Sequence, residues 1–277
     1  MQHRLANWFV QRYQNAIQTS PDQQKPWAKL WEVCVKDGRQ SDFIAFCQGI
    51  IRSRPSSRQA WAFLKLATHD DSDAFDHFTF AKQVVRLNPY DETAWQYLDG
   101  EYQHREDDGG LTEFCREIVS VHEDNLCALL RLSVAQKKAA RYGELIVTCQ
   151  AILKHKPKDA QTWCNLADSY AARGRYDEAV SAYDKSLQLK PNFLVAWNNL
   201  GNVHHLQGQY NEAVAAYEKA IALNKDDAAP WVWLCLAYAE MGEHNKAEEA
   251  VKKVEKRLPL VASMLAEELA QRSVVLA

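Results

Sequence analysis

Tryptophan recurs in this chain at a fixed spacing of 34 residues. Six of the nine tryptophans fall on this spacing, and Leu129 occupies the one vacant position; the six are Trp27, Trp61, Trp95, Trp163, Trp197 and Trp231. A period of this length is the signature of a repeat architecture, in which each unit is one small motif that buries its apolar face against its neighbours. We therefore expect a stack of repeats.

Two further residue types follow the same spacing. A leucine lies three residues after every position of the tryptophan series: Leu30, Leu64, Leu98, Leu132, Leu166, Leu200 and Leu234. Prolines form a second series at Pro55, Pro89, Pro157, Pro191 and Pro259, with Glu123 and Lys225 in the gaps. Together they predict seven repeats without insertion or deletion: 24–57, 58–91, 92–125, 126–159, 160–193, 194–227 and 228–261.

Each repeat has the pattern of two helices. In repeat 160–193, apolar residues recur at spacings of three and four on both sides of Gly174, which predicts a helix, a turn and a second helix. Pro191 ends the second helix, because proline has no N–H for the hydrogen-bond ladder. Residues suited to helix N-caps precede four repeats: Asp91, Asn125, Asp159 and Asp227. No strand pattern remains, so the sequence predicts an all-α fold.

These residues follow the pattern W-x2-L-G-x2-Y…A-x3-[FY]-x2-A…P of the tetratricopeptide repeat (TPR) family. Repeat 194–227 has this pattern at Trp197, Leu200, Gly201, Ala213, Tyr217 and Ala220. The chain resembles the TPR family over 24–261. The resemblance implies an α-solenoid, a right-handed superhelix of seven TPR helix hairpins. The first helices would line a concave groove and the second helices would form the convex back.

The repeats differ at the point where the two helices cross. Three C-terminal repeats have small residues there: Ala167 with Ala179, Gly201 with Ala213, and Cys235 with Ala247. Four N-terminal repeats have bulky, polar or charged residues: Trp31 with Phe43, Lys65 with His77, Asp99 with Leu111, and Ser133 with Leu145. Extra volume forces packed helices apart. We therefore expect the N-terminal half to be less regular.

Both ends extend the repeat pattern. Residues 1–23 contain a segment, 4–19, that has the pattern of a second helix, which predicts an N-terminal capping or half-repeat helix. Residues 262–277 predict a C-terminal capping helix with a short tail, in which Leu265 and Leu269 face inward. Terminal repeats need such helices, with a polar outer face, to remain soluble.

Composition argues against several classes of protein. The net charge is −3, so the chain has no general attraction for nucleic acid or acidic membranes. The pair Lys137–Lys138 is interpreted as a solvated helix face. No apolar run is long enough to span a bilayer, and the N-terminal residues do not form a secretory signal. Seven cysteines without a C-x-x-C pair argue against a disulfide framework or zinc ribbon, so we expect a reducing, cytoplasmic location.

No catalytic or metal-binding constellation emerges from the sequence. The run HDDSDAFDH at 69–77 is the most metal-like, but it lacks the spacing and glycine of a calcium loop. We expect Asp70, Asp71 and Asp73 to cap the following helix instead. No phosphate-binding loop or dinucleotide-binding motif is present. We therefore expect neither a metal nor a cofactor, and no enzymatic activity.

Residues at the groove positions implied by the TPR resemblance form the candidate binding surface. They are Phe63, Tyr97, Arg131, Asn165, Asp168, Asn198, Asn199, Asn202, His205 and Trp233. An asparagine amide both donates and accepts, so it can pair with a peptide backbone whatever the side chains of that peptide. We expect the asparagines to hold the backbone, the aromatic residues to anchor apolar groups, and Arg131 to contact an acidic group. His204 takes a packing position.

The sequence thus predicts a non-enzymatic adaptor or scaffold that binds an extended or helical peptide segment of a partner protein. Two alternatives remain open. The chain is a constitutive subunit of a larger complex that docks through its ends or convex face, or the regulatory arm of an enzyme with its catalytic domain elsewhere. Some TPR co-chaperones bind the acidic C-terminus of heat-shock proteins through a carboxylate clamp. No three consecutive repeats supply its lysine, asparagine and arginine pattern, so we do not expect that activity.

Overall fold

The computed structural model describes residues 2–68, 76–255 and 258–275. Within these ranges every regular element is a helix, which confirms the all-α prediction. The helices are α1 (Gln2–Thr19), α2 (Gln24–Lys36), α3 (Gln40–Ser53), α4 (Arg58–Ala67), α5 (His77–Leu87), α6 (Glu92–His104), α7 (Asp108–Val121), α8 (Leu126–Lys138), α9 (Tyr142–His155), α10 (Ala160–Ala172), α11 (Tyr176–Leu189), α12 (Leu194–Leu206), α13 (Tyr210–Leu223), α14 (Ala228–Glu240), α15 (His244–Glu255) and α16 (Pro259–Val275). None of the described helices is both long and apolar enough to cross a membrane.

The chain divides into an N-terminal subdomain, Met1–Leu132, and a C-terminal subdomain, Ser133–Ala277. The division falls inside α8. The N-terminal core is rich in large aromatic side chains, among them Trp27, Phe43 and Trp95. The C-terminal core is built from smaller residues around buried tyrosines, such as Ala167 and Tyr183. Each subdomain therefore packs its helices with a different class of side chain.

The first helix of each helix pair begins 34 residues after the previous one. These helices start at Gln24, Arg58, Glu92, Leu126, Ala160, Leu194 and Ala228. The predicted N-caps are confirmed: the side chains of Asp91, Asn125, Asp159 and Asp227 each accept a backbone N–H at the start of the following helix. A cap of this kind satisfies one of the backbone donors that have no partner within the helix.

A recurring hydrogen bond links the tryptophan and proline series. Six tryptophans donate their indole N–H to a backbone carbonyl six residues earlier, over N···O distances of 2.7–3.0 Å. The acceptors are the carbonyls of Pro21, Pro55, Pro89, Pro157, Pro191 and Lys225. Lys225 serves as well as proline because only the backbone takes part. Each bond ties the start of one first helix to the loop that leads into it.

The C-terminal helix pairs are packed more tightly than the N-terminal ones. The helices of the pairs α10–α11 and α12–α13 approach each other more closely than do α2–α3 and α6–α7. The rings of Trp31 and Phe43, with centroids 5.1 Å apart, lie between α2 and α3. In α12, by contrast, a Cβ added to Gly201 would come within 2.5 Å of Cε1 of Tyr217. The crossing residues therefore set the spacing, as the sequence predicts.

The ends of the chain differ in part from the prediction. Helix α1 packs through Val10 and Ile17 onto the N-terminal core. Helix α16 begins at Pro259, not at 262, so the predicted boundary at 261 falls inside it. Pro259 opens this helix because proline is well tolerated at a first helical position, where its missing N–H has no partner to lose. Leu265 is buried as expected, whereas the side chain of Leu269 lies outside the described residues.

The acidic run at 69–77 is described only in part. Residues 69–75, including Asp70, Asp71 and Asp73 with their predicted capping role, lie outside the described residues. Asp76 caps α5, because its carboxylate accepts the backbone N–H of Thr79 at 3.0 Å. His77 Nε2 lies 2.6 Å from the Thr68 hydroxyl. Asp76 and His77 thus have structural roles at the start of α5.

Candidate functional site

Phe63 lies in the core of the N-terminal subdomain and is not an anchor in a groove. Its side chain is 8% exposed, and its ring stacks on Trp27 with centroids 5.8 Å apart and also contacts Phe43. The prediction that Phe63 contacts a partner is therefore wrong. The large rings contributed by the neighbouring helices cover a position that would be open if those helices carried small residues.

Tyr97 is also engaged within the N-terminal subdomain. Its ring stacks on Trp61 with centroids 4.0 Å apart, and its hydroxyl lies 3.4 Å from Nδ1 of His77. Burial raises the pKa of the Tyr97 hydroxyl, because the phenolate would lose its hydration. Tyr97 thus stabilises the contact between α4 and α6, and the predicted role as a free aromatic anchor is not supported.

Arg131 forms an internal ion pair and is not free to bind an acidic partner. Its guanidinium donates to Asp99 through Nε (2.8 Å) and Nη2 (2.7 Å), and to Glu92 through Nη2 (3.0 Å). The side chain is 14% exposed and lies over the ring of Trp95. Burial acts to lower the pKa of Arg131, but the hydrogen bonds to the two carboxylates raise it. The predicted acidic contact is therefore made inside the chain.

In the C-terminal subdomain, the predicted residues of α10 bind a lysine of α8. Lys137 Nζ donates to Oδ1 of Asn165 at 2.7 Å and to Oδ2 of Asp168 at 2.8 Å. Gln161 Nε2 also donates to the Asn165 oxygen, at 3.1 Å. Lys137 is thus a member of the site and not simply part of a solvated basic face.

Asp168 connects α10 to the next first helix, α12. Its Oδ1 accepts the hydroxyl of Tyr183 at 2.6 Å and Nδ2 of Asn199 at 2.9 Å. One helix pair later, Oδ1 of Asn202 accepts the hydroxyl of Tyr217 at 2.8 Å. Burial and the Asp168 carboxylate raise the pKa of Tyr183, so this tyrosine stays protonated as a donor. The buried tyrosines therefore fix the orientation of Asp168 and Asn202.

Each asparagine of the predicted site keeps at least one amide atom that has no hydrogen-bond partner among the described residues. Asn165 Nδ2 is an open donor, because only the oxygen of that amide is bonded. Asn199 Oδ1 is an open acceptor, because only the nitrogen of that amide is bonded. Asn198 Oδ1 is shielded from water and still has no donor. A buried acceptor without a donor costs free energy, and a rotation of the half-buried Asn198 side chain that brings this oxygen to a ligand N–H would remove that cost.

The last two residues of the predicted set, His205 and Trp233, form an aromatic contact between α12 and α14. The rings of His205 and Trp233 meet edge to face, with centroids 5.8 Å apart, and His205 also contacts Tyr210. The side chain of Trp233 remains 37% exposed. The bonds from Asp168 to Asn199 and the ring contact from His205 to Trp233 thus place α10, α12 and α14 side by side. We call their surface bearing Asn165, Asn198, Asn199, Asn202, His205 and Trp233 the asparagine face.

Sequence reasoning missed three residues of this site: Lys137, Tyr183 and Tyr217. A signal for the tyrosines was present, because Asp168 with Tyr183 and Asn202 with Tyr217 share a separation of 15 residues in consecutive repeats. Lys137 could have been found from its distance along the chain to Asn165 and Asp168, 28 and 31 residues. Residues that far apart lie on neighbouring first helices.

The cysteines have the surroundings of packing residues. All seven are free, and all but Cys127 are buried. Burial raises the pKa of Cys164 to about 12, so its thiol is not activated as a nucleophile. Across the part of the chain that the structure describes, no three histidine, cysteine or acidic side chains cluster as metal ligands would.

Comparison with known families identifies the repeat. Residues 158–226 and 204–267 match two family models, both described as tetratricopeptide repeat. The segment 158–267 therefore consists of tetratricopeptide repeats. Its repeats are supported by the tryptophan, leucine and proline series, by the paired helices, and by solved structures of the same fold.

Two solved structures are similar in fold to this chain. A MamA crystal structure aligns with a TM-score of 0.56 at 19% identity, covering 60% of this chain and 91% of MamA. YrrB, described as a TPR protein with an unusual peptide-binding site, aligns with a TM-score of 0.57 at 13% identity, covering 68% of this chain and 97% of YrrB. At these identities the likeness establishes the fold alone. No curated protein matches the sequence.

Proposed function

We propose that this protein is a non-enzymatic adaptor or scaffold that holds an extended peptide segment of a partner protein on the asparagine face. The observation that carries the proposal is the set of open amide atoms at Asn165, Asn198 and Asn199. TPR families generally act in protein–protein interactions, and the neighbour YrrB has a peptide-binding site of its own. The peptide would bind along the surface of α10 and α12.

The open atoms are complementary to a peptide backbone. Asn165 Nδ2 would donate to a backbone carbonyl, while the oxygens of Asn198 and Asn199 would accept backbone N–H groups. Internal bonds to Lys137 and Asp168 already fix the Asn165 and Asn199 amides. Because little side-chain freedom is left to lose, such a surface binds at a lower entropic cost than a flexible one.

The test begins with peptides selected on the purified protein from a displayed library of random sequences. We expect the double variant Asn165→Ala, Asn198→Ala to weaken binding of a selected peptide by about tenfold or more, since hot-spot residues cost at least that much. Isothermal titration calorimetry measures the affinity. Asn202 is left intact because its oxygen is bonded to the buried Tyr217 hydroxyl.

The matched control is Asn211→Ala, which removes an exposed asparagine from the second helix α13. This variant should bind the peptide as the unchanged protein does. The melting temperature of every variant should stay within a few degrees of the parent, because the internal bonds lost with Asn165 are exposed and weak. Selection that yields no binding peptide, or equal affinity for the double variant and the control, would overturn the proposal.

A further inference from the structure

The contacts between neighbouring first helices change in character along the C-terminal subdomain. Lys137 with Asn165 and His205 with Trp233 are equivalent pairs, since each joins residues 28 apart on successive first helices. The first pair is a hydrogen bond from a lysine to an amide. The second is a contact of two rings. The asparagine face therefore offers polar groups on α10 and α12 and an aromatic surface where α12 meets α14.

Helix α12 exposes apolar side chains near both of its ends, and one of them is next to this aromatic contact in the sequence. Trp233 is 37% exposed, and Leu206, adjacent to His205 on α12, is 64% exposed. Val195, at the start of α12, is 48% exposed. Leu206 and Val195 occupy groove positions in the TPR pattern. A ring and an aliphatic side chain left open beside a row of amides can remove a partner's apolar side chain from water.

The asparagine face has no spare charge for a partner. Its six residues include no aspartate, glutamate, lysine or arginine. The adjacent Asp168 is 17% exposed and already bonded to Lys137, Tyr183 and Asn199. Lys137 in turn is held by Asp168 and Asn165. A charged partner residue placed here would lose hydration without gaining an ion pair, which disfavours it.

We propose that the partner segment is uncharged where it crosses the asparagine face and ends in one apolar side chain, aromatic or long aliphatic, seated on Trp233 and His205. This rests on the proposed function, because the amides must hold the backbone for the side chain to reach the rings. Neighbouring helices lie about 8–10 Å apart and an extended chain rises about 3.3 Å per residue. The apolar residue therefore lies about three residues from the one held at α12 and about six from the one held at α10.

The test uses the selected peptides and the variant Trp233→Ala. We expect Trp233→Ala to weaken binding by about tenfold or more and Trp233→Phe to restore most of it, because an aromatic ring is retained. In an alanine scan of the peptide, replacing one apolar residue near one end should cause the largest loss of affinity. Affinity should change less than about twofold between low and high salt, since no ion pair forms.

Leu223→Ala is the matched control, because Leu223 is an exposed apolar residue on the second helix α13. Unchanged affinity of Trp233→Ala, while Asn165→Ala, Asn198→Ala loses binding, would overturn the inference and leave the proposed function standing. Selected peptides with a required charge and a steep salt dependence would overturn it as well. If neither the asparagine nor the tryptophan variant affects binding, both proposals fail.

Discussion

At the scale of single residues, the same polar side chain can serve the fold or a ligand, depending on its neighbours. Asp168 and Arg131 both occupy groove positions, and the polar groups of both side chains form hydrogen bonds inside their own subdomain. Asn165, Asn198 and Asn199 each keep at least one open amide atom. A residue at a groove position is therefore available to a ligand only where no side chain of its own subdomain already binds it.

Gly201 is the residue whose size matters most for the crossing of α12 and α13. A Cβ there would lie 2.5 Å from the ring of Tyr217, which is fully buried and held by Asn202. We expect Gly201→Ala to lower the free energy of unfolding by about 1–3 kcal/mol, the usual cost of overpacking a core. Urea denaturation measures the change.

Gly100→Ala is the control for this substitution, because nothing lies within 4 Å of a Cβ added at Gly100. There the better helix propensity of alanine should stabilise α6 by up to about 1 kcal/mol. Two variants with effects of the same sign would argue against the role of the close approach at Gly201.

At the scale of elements, the turns between paired helices share one backbone conformation. The described turns place a left-handed residue at matching positions, with Gly38, Gly174, Gly208 and Gly242 in four of them. Glu106 and Ala140 take the same conformation at φ 53°. A residue with a Cβ is strained there by about 1–2 kcal/mol. The turns at Glu106 and Ala140 are therefore the two described turns whose sequence does not suit their backbone conformation.

We expect Ala140→Gly to stabilise the protein by about 1 kcal/mol, because relief of the strained φ exceeds the extra freedom of glycine in the unfolded chain. The reciprocal variant Gly174→Ala should destabilise it by a similar amount. Thermal unfolding of the two variants measures both effects. An Ala140→Gly protein that melts below the parent would contradict this explanation.

The sequence is sufficient to predict these elements but only part of the site. The 34-residue period assigns Asn165, Asn199 and Trp233 to first helices, and an aspartate or asparagine just before a repeat identifies its N-cap. The period does not show that Phe63 would be covered by Trp27 or that Arg131 would be bound by Asp99. Those outcomes depend on side chains 32 or more residues away, whose size and charge no periodic pattern fixes.

At the scale of the whole molecule, stability in a repeat protein is distributed along the chain. Each internal repeat contacts neighbours on both sides, whereas a terminal helix has neighbours on one side only. Helix α16 also exposes Leu260 and Met264. The free energy of local opening should therefore be lowest at the ends of the chain.

Amide hydrogen exchange followed by mass spectrometry measures this distribution. We expect peptides from α1 and α16 to exchange first, and those from α10 to α13 to be protected longest, because these pairs are the most tightly packed. In the Gly201→Ala variant, the loss of protection from exchange should be confined chiefly to peptides from α12 and α13. Uniform protection from α1 to α16 would show instead that the chain opens as one cooperative unit.

The hydrogen bond from each tryptophan to the loop before its helix has a spectroscopic consequence. Indole emission responds to local polarity and hydrogen bonding, so each of the six tryptophans reports on the junction that its own N–H closes. A single fluorophore at a chosen repeat requires replacing the other eight tryptophans: five of the series by leucine, the residue that the chain itself uses at Leu129, and Trp8, Trp31 and Trp233 by phenylalanine. The junction at Leu129 is dark in the natural sequence, close to the point where the two subdomains divide.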